Sequence, residues 1–379
     1  MEEFDLVFVH GWSVRHTNTY GGLPERLVAE GARHGLRFRR RDIVLGSDLF
    51  GIYPVGPMRN QSLRSSTSSQ HPWQFVLIGQ TIDRKLYDNL NTYTGEDGSD
   101  GVVRVASANL NASHISLKPK PGTRRFDQLE VAAVTRSPTV AMRVVPGRAH
   151  SGKDMGIMRS VRARAANDSA DNQTTIDAIM RCFAVRTRRQ YDVLSAAFAD
   201  ETDALQTHEQ VEKSPRFITR RTFIHDIYSQ VIFRVRDSEQ RPLNDFELLL
   251  TANRSSPNTL PVGFLKDRQC NRLERSTLTY YLNHNVMTGN TEIPGIREKT
   301  PGCRQLGFEV HAKPNRGFVS FQDAKLHASA EMLKSVLRAN ETVMVDIEID
   351  RQVDKEAFRL ERTTKRRNFS GARPSGEKV

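Results

Sequence analysis

Two hydrophobic rhythms divide the chain. In the first part, Leu6 to Val9 is a short, wholly apolar run that ends in His10-Gly11-Trp12-Ser13, the pattern of a buried parallel strand entering a tight turn. Leu23, Leu27, Val28 and Ala32 then fall on one helical stripe that Gly35 stops, and Arg41 to Leu45 reads as a second short strand. Strand, helix, strand in that order predicts an α/β domain built on a parallel sheet. Phe75 to Ile78 and Val140 to Val145 continue the series of buried strands, with a brief apolar patch at Val102 to Val105 between them. Helical spacing returns at Ile157 to Arg164 and again from Thr174 to about Lys213, where Ile176, Ile179, Met180, Phe183, Tyr191, Leu194 and Phe198 are the apolar positions.

After Pro215 the rhythm becomes alternation. Tyr228 to Val235, Glu247 to Thr251, Thr277 to Leu282, Gly307 to Ala312, Phe318 to Phe321 and Val343 to Ile349 read as strands, separated by turn signals such as Pro257-Asn258 and Pro314-Asn315. Short strands at this spacing predict an antiparallel β-sandwich. The expected organisation is an α/β domain over 1–170, a helical segment or linker over 171–215, a β-sandwich over 216–362 and a disordered basic tail over 363–379. Gly46 to Pro72, crowded with Ser, Pro, Gly and Gln, holds neither period and reads as loop.

Composition narrows the class. No run approaches the ~20 apolar residues that a bilayer-spanning helix needs. The net charge of +12 favours an anionic partner, either nucleic acid or an acidic membrane surface. Arg162, Arg164, Arg186, Arg188 and Arg189, and Lys365-Arg366-Arg367 in the tail, lack a binding motif or interleaved aromatics, so solvated faces are preferred to nucleic-acid contacts. Cys182, Cys270 and Cys303 are too few and too scattered for a disulfide framework or a cysteine zinc site, which makes a reducing compartment the default. The acidic start, Met1-Glu2-Glu3-Phe4-Asp5, has no secretory signal pattern, and a cytoplasmic location is expected.

Three motifs carry candidate chemistry, and their order matters. His10-Gly11-Trp12 closes the first strand, Asp100 lies in GSDGVVRVASA, and His150 lies in VVPGRAHSGKDMGI. Taken singly, Asp100 is an ordinary turn aspartate and His150 a surface histidine. Together and in this order they resemble the α/β-hydrolase family, specifically lipases and phospholipase-like serine esterases, over about the first 160 positions. The resemblance implies an oxyanion-stabilising turn at Gly11 and Trp12, a catalytic acid at Asp100 that orients the imidazole, and a catalytic base at His150 that takes the proton of a serine. It implies a lipid or ester substrate, with no cofactor and no metal.

The chain departs from the family at the nucleophile. No G-x-S-x-G occurs anywhere, and the Gly46–Pro72 stretch is too short for the helices and central strand that should carry it. Ser13 sits in the turn that the resemblance makes the oxyanion turn, Ser62, Ser65, Ser66, Ser68 and Ser69 lack a strand-turn-helix context, and Ser151 is adjacent to the histidine it would need to face. The nucleophile is therefore unassigned, and weak or absent turnover is expected. His284, His311 and His327 stand isolated among strands and read as structural histidines rather than metal ligands. Two functions follow as alternatives: a lipase-like ester hydrolase impaired by loss of its elbow, or a non-catalytic lipid- or protein-binding descendant that works through its β domain and basic surface.

Overall fold

The structure is a computed structural model that describes residues 2–10, 20–44, 73–82, 97–121, 128–208, 211–214, 221–252, 260–313 and 319–353. In chain order the first elements are β1 (Glu2–His10), α1 (Leu23–Arg33), β2 (Leu36–Val44), β3 (Phe75–Gly79), α2 (Val105–Ala108), β4 (Ala112–Pro119), β5 (Leu129–Arg136) and β6 (Ala141–Val145). Next come α3 (Ala170–Phe183), α4 (Arg188–His208), β7 (Val211–Ser214), β8 (Arg221–Ile224), β9 (Tyr228–Asp237) and β10 (Phe246–Ala252). The remainder is β11 (Leu265–Cys270), β12 (Thr277–Asn283), α5 (His284–Thr288), β13 (Gln305–Ala312), β14 (Val319–Phe321), β15 (Ala324–Ser329), α6 (Ala330–Val336), β16 (Thr342–Ile349) and β17 (Arg351–Val353).

The chain divides into two compact units. The first comprises Met1–Ala112, Arg136–Tyr228 and Ala339–Glu341; the second comprises Ser113–Thr135, Ser229–Arg338 and Thr342–Val379. This division differs from a first domain ending near 170, because β4 and β5 join the sheet of the second unit and α3 and α4 pack within the first.

In the first unit, β1 pairs with β2 and β3 pairs with β6, both in parallel, as the strand-helix-strand pattern predicts. Alternate residues of the β3–β6 pair enter different clusters. Phe75, Leu77 and Ala141 pack with Tyr191, Leu194 and Phe198 of α4, while Ile78, Met142 and Val144 pack with Val105 of α2. Burial on both faces explains why these strands read as continuous apolar runs. Tyr191 ties the pair at its start: its hydroxyl accepts from the Ala141 N–H (2.9 Å) and donates to the Gln74 carbonyl (2.7 Å). The Val144 N–H donates to Thr202 Oγ1 at 3.0 Å, so α4 side chains rather than a further strand take up these donors of β6.

The second unit contains a six-stranded sheet, β11-β12-β9-β16-β4-β5, and a three-stranded sheet, β10-β13-β15. Both contribute to one core: Val231, Phe233 and Val235 of β9 and Val343, Val345 and Ile347 of β16 meet Leu248 and Leu250 of β10 and Phe308 and Val310 of β13. The three-stranded sheet is antiparallel, as expected. β9 and β16 run parallel, with Phe233 opposite Val345, which corrects the expectation of a purely antiparallel unit. Period-two alternation fixes which side chains face the core and is silent on strand direction.

Other sequence expectations also change. Ile157 to Arg164 forms turns rather than a helix, because Ala149 and Ile157 engage each other: the Ile157 N–H donates to the Ala149 carbonyl at 2.8 Å. The stretch from Thr174 to Lys213 is two helices and a strand, interrupted at 184–187. Val102 to Arg104 bends into α2, which Val105 begins. Gly46–Pro72 and the 363–379 tail lie outside the described residues.

Candidate active site

The two residues that sequence order singles out meet in space. Asp100 lies on the segment leading into α2, and His150 on the loop that leaves β6. His150 Nδ1 stands 3.0 Å from Asp100 Oδ2, and the His150 backbone N–H donates to the Asp100 carbonyl at 2.8 Å. Side chain and main chain thus hold the same partner, which leaves the imidazole little freedom to rotate away.

The acid is itself fixed by the backbone. Its second oxygen, Oδ1, accepts from the N–H groups of Val102 (3.1 Å) and Val103 (2.7 Å). Gly101, at φ +98°, permits the turn that brings those amides around. Asp100 is 4% exposed and the His150 side chain 45%, so the acid is enclosed and the imidazole opens to solvent. A carboxylate only accepts, so Nδ1 is the donor of the shared proton and Nε2 carries the lone pair of the neutral ring. Nε2 has no hydrogen-bond partner among the described residues. The hydrogen bond to the Asp100 carboxylate, working against partial burial, raises the His150 pKa above its ordinary value.

The loop that carries His150 is fastened at three points. The end of β3 touches it directly: the Thr81 N–H donates to the Arg148 carbonyl (3.0 Å), and a Cβ on Gly79 would fall 1.9 Å from that same oxygen. The Ala149 N–H donates to the Met155 carbonyl at 2.9 Å. Arg148, 3% exposed, reaches the opposite way, donating to Ser160 Oγ (2.9 Å), Asn172 Oδ1 (2.6 Å) and Asp171 Oδ2 (3.0 Å) at the first turn of α3. Sequence reasoning passed over Arg148; the available signal was a charged residue between a buried strand and the candidate base, which demands buried partners.

Of the other expected site residues, Gly11 and Trp12 lie outside the described residues, as do Ser13 and the serines from Ser62 to Ser69. Ser151 makes no hydrogen bond to His150. His311 pairs with Asp323 (2.9 Å) on the second unit. Burial, with Lys334 nearby, lowers the pKa of His284 against the opposing hydrogen bond to the Leu337 backbone.

Asp100 and His150 thus meet on segments that follow β3 and β6, a parallel pair, in keeping with an α/β-hydrolase-like fold. The solved structure of phospholipase PlaB from Legionella pneumophila in complex with thio-NAD is 30% identical and covers 100% of both chains with a TM-score of 0.77. A second structure of Legionella pneumophila phospholipase PlaB is 29% identical over 100% of both chains, with a TM-score of 0.78. The chain belongs to the family of these phospholipases. No protein-family model and no curated protein matches it. Among the described residues, no helix is long and apolar enough to cross a membrane.

Proposed function

We propose that this chain is a phospholipase-type ester hydrolase scaffold that retains acid and base but lacks an aligned nucleophile, so that it engages lipid and turns esters over weakly or not at all. The observation that carries the reading is the enclosed Asp100 bonded to an open His150 in a chain with no G-x-S-x-G. In the intact mechanism His150 Nε2 would take the proton of an elbow serine. Asp100 would hold the resulting imidazolium, and amides of the Gly11-Trp12 turn would stabilise the tetrahedral oxyanion of a lipid ester. Proton transfer to Nε2 needs a hydroxyl presented on its open side. No serine among the described residues is bonded there.

The sheet supports the same reading. Among the described residues, β1–β2 and β3–β6 are separate parallel pairs with no ladder joining them. A central strand bearing the nucleophile would be the element that joins such pairs, and its loss leaves backbone donors that cost ~1–3 kcal/mol each where they are buried without a partner. The second unit, with two sheets over one core, is read as an accessory β-sandwich, and the net charge of +12 suits an anionic lipid surface.

The test is hydrolysis of a short-chain chromogenic ester and of phospholipid vesicles by the whole chain, with His150→Ala in parallel and vesicle co-sedimentation with and without anionic lipid. The expected result is sedimentation with anionic vesicles and a hydrolysis rate no greater than that of His150→Ala. A wild-type rate about tenfold or more above the variant would mean that some serine is aligned after all.

A further inference from the structure

The first unit buries a titratable pair that the dyad does not use. His225 follows β8 directly, and Glu212 lies on the antiparallel partner strand β7, opposite Phe223. They are 7% and 8% exposed, and His225 Nε2 stands 3.2 Å from Glu212 Oε2. Burying such a pair costs desolvation that apolar side chains of similar volume would avoid, so a gain in stability does not account for it. What the pair does fix is the course of the chain from Ile224 to Tyr228, which it joins to β7 at His225. At the far end of that segment the Tyr228 carbonyl accepts from the Asn340 N–H at 2.9 Å.

This segment braces the turn that carries Asp100. The Ile224 N–H donates to Asp97 Oδ1 at 3.3 Å. Gly98, the next residue, is packed so closely that a Cβ there would fall 2.3 Å from the Tyr228 ring and 3.1 Å from the Asp226 carbonyl oxygen. Gly98 is in turn the base of the acid turn, because its carbonyl accepts from the N–H of Val105, the first residue of α2, at 3.0 Å. Within that closure Ser99 bridges to Arg104, and the Asp100 N–H donates to the Val103 carbonyl at 3.1 Å. A displacement at Asp97 and Gly98 therefore carries Asp100 with it. It is felt at His150 Nδ1, 3.0 Å from Asp100 Oδ2, since a hydrogen bond weakens steeply as its geometry departs from the optimum.

We propose that Asp97 and the His225–Glu212 pair are positioning residues for the dyad: the pair holds the segment from Ile224 to Tyr228 in place, and Asp97 passes that placement on to Asp100 and so to His150. None of the three side chains bonds to His150 itself. The inference rests on the reading of Asp100 and His150 as the dyad, and it concerns their geometry rather than turnover.

The test is NMR titration of the His150 ring in the full-length chain, its resonances assigned by their loss in His150→Ala. Asp97→Ala deletes the link to Ile224, whereas Asp97→Asn removes the same charge and keeps an oxygen for the Ile224 N–H. Asp97→Ala should lower the proton affinity of His150 about threefold or more, and Asp97→Asn should leave most of it intact. Glu212→Met keeps the length of the side chain and removes the carboxylate. It should lower the affinity as well, and Asp97→Ala with Glu212→Met should lower it no further than the larger single effect, because both act through one segment. Asp97 is half-buried and methionine is as long as glutamate, so neither change opens a hole in the core. Equal shifts in Asp97→Ala and Asp97→Asn would assign the effect to charge acting through space and overturn positioning by Asp97. Shifts that sum in the double variant would take Glu212 off that path and overturn its role. A His150 titration that neither Asp97→Ala nor Glu212→Met moves would overturn the proposal as a whole. Hydrolysis plays no part in any of these readings, so their failure is distinguishable from failure of the proposed function.

Discussion

The two units are held together by different physics. In the second, one continuous apolar cluster runs through strands from both sheets, and the positions of β9 and β16 alternate between buried and half-buried. In the first, the buried apolar residues fall into three smaller clusters among the described residues, and polar groups do much of the joining. Tyr191 and Thr202 tie α4 to β6, Arg148 ties the His150 loop to α3, and the Val102 and Val103 amides fix Asp100. Apolar burial tolerates small displacements, whereas a hydrogen bond is lost over a few tenths of an ångström and a few tens of degrees. The contrast predicts that the β unit is the more stable of the two and that the α/β unit holds particular atoms in register at lower stability.

The sharpest way to break this contrast is to damage the large core. Phe233 is 4% exposed and meets Tyr280 and Phe308 edge-on, at centroid distances of 5.6 and 5.3 Å. Phe233→Ala removes those contacts and leaves a cavity, for an expected loss of ~3–5 kcal/mol. Urea unfolding should show two transitions, of which the substitution lowers only the more stable one, with the His150 ring resonances unmoved. A single transition that carries the whole loss would mean that the units unfold together.

What the sequence made legible follows the same divide. Parallel strands, alternating strands and the main helices could be read because burial imposes a period on the residues, and the Asp100–His150 pair could be read because its motifs are local. β5 could not: as an edge strand with Val131 and Val134 exposed it has no alternation to detect. β11, exposed along nearly its whole length, escaped for the same reason. The apparent helix at Ile157 failed because spacing cannot show that Ala149, eight positions back, claims the backbone of Ile157. Arg148 was overlooked because its partners Ser160, Asp171 and Asn172 come from separate segments, and nothing in a single sequence pairs them.

Arg148 gives the next test, of intermediate size. Arg148→Met keeps the length of the side chain and deletes its hydrogen bonds, leaving Asn172 and Ser160 to each other. Asp171 is half exposed and rehydrates, so the expected cost is that of incomplete satisfaction, ~1–3 kcal/mol, confined to the first unit. Arg148→Lys should recover little, because an ammonium group cannot fork across Asn172 and Asp171 together. Thermal unfolding read separately for each unit checks this. Equal stability of wild type and Arg148→Met would show that the His150 loop does not depend on its buried cation.

The smallest effect on stability is the most informative about the site. His150 has a folded pKa raised above the ordinary imidazole value, chiefly by its hydrogen bond to Asp100. The stabilisation it contributes is therefore fully present below the unfolded value of ~6.5 and is lost as pH rises through the folded value. Because the ring is 45% exposed, that contribution should stay below ~1 kcal/mol. Function would run the other way: a general base must be neutral, so any His150-dependent step should switch on as pH rises through the raised value. Asp100→Asn separates charge from shape. The amide oxygen can still accept from the Val102 and Val103 N–H groups, which preserves the loop, while the NH2 now faces His150 and can only donate. Nδ1 must then accept, the ring proton moves to Nε2, and the lone pair that would take a nucleophile's proton is gone. NMR titration of the His150 ring should show its pKa falling toward or below the ordinary value with the 15N pattern of the other tautomer. An unchanged titration would mean that Asp100 does not set the state of His150, and polar register would then not be what distinguishes the first unit from the second.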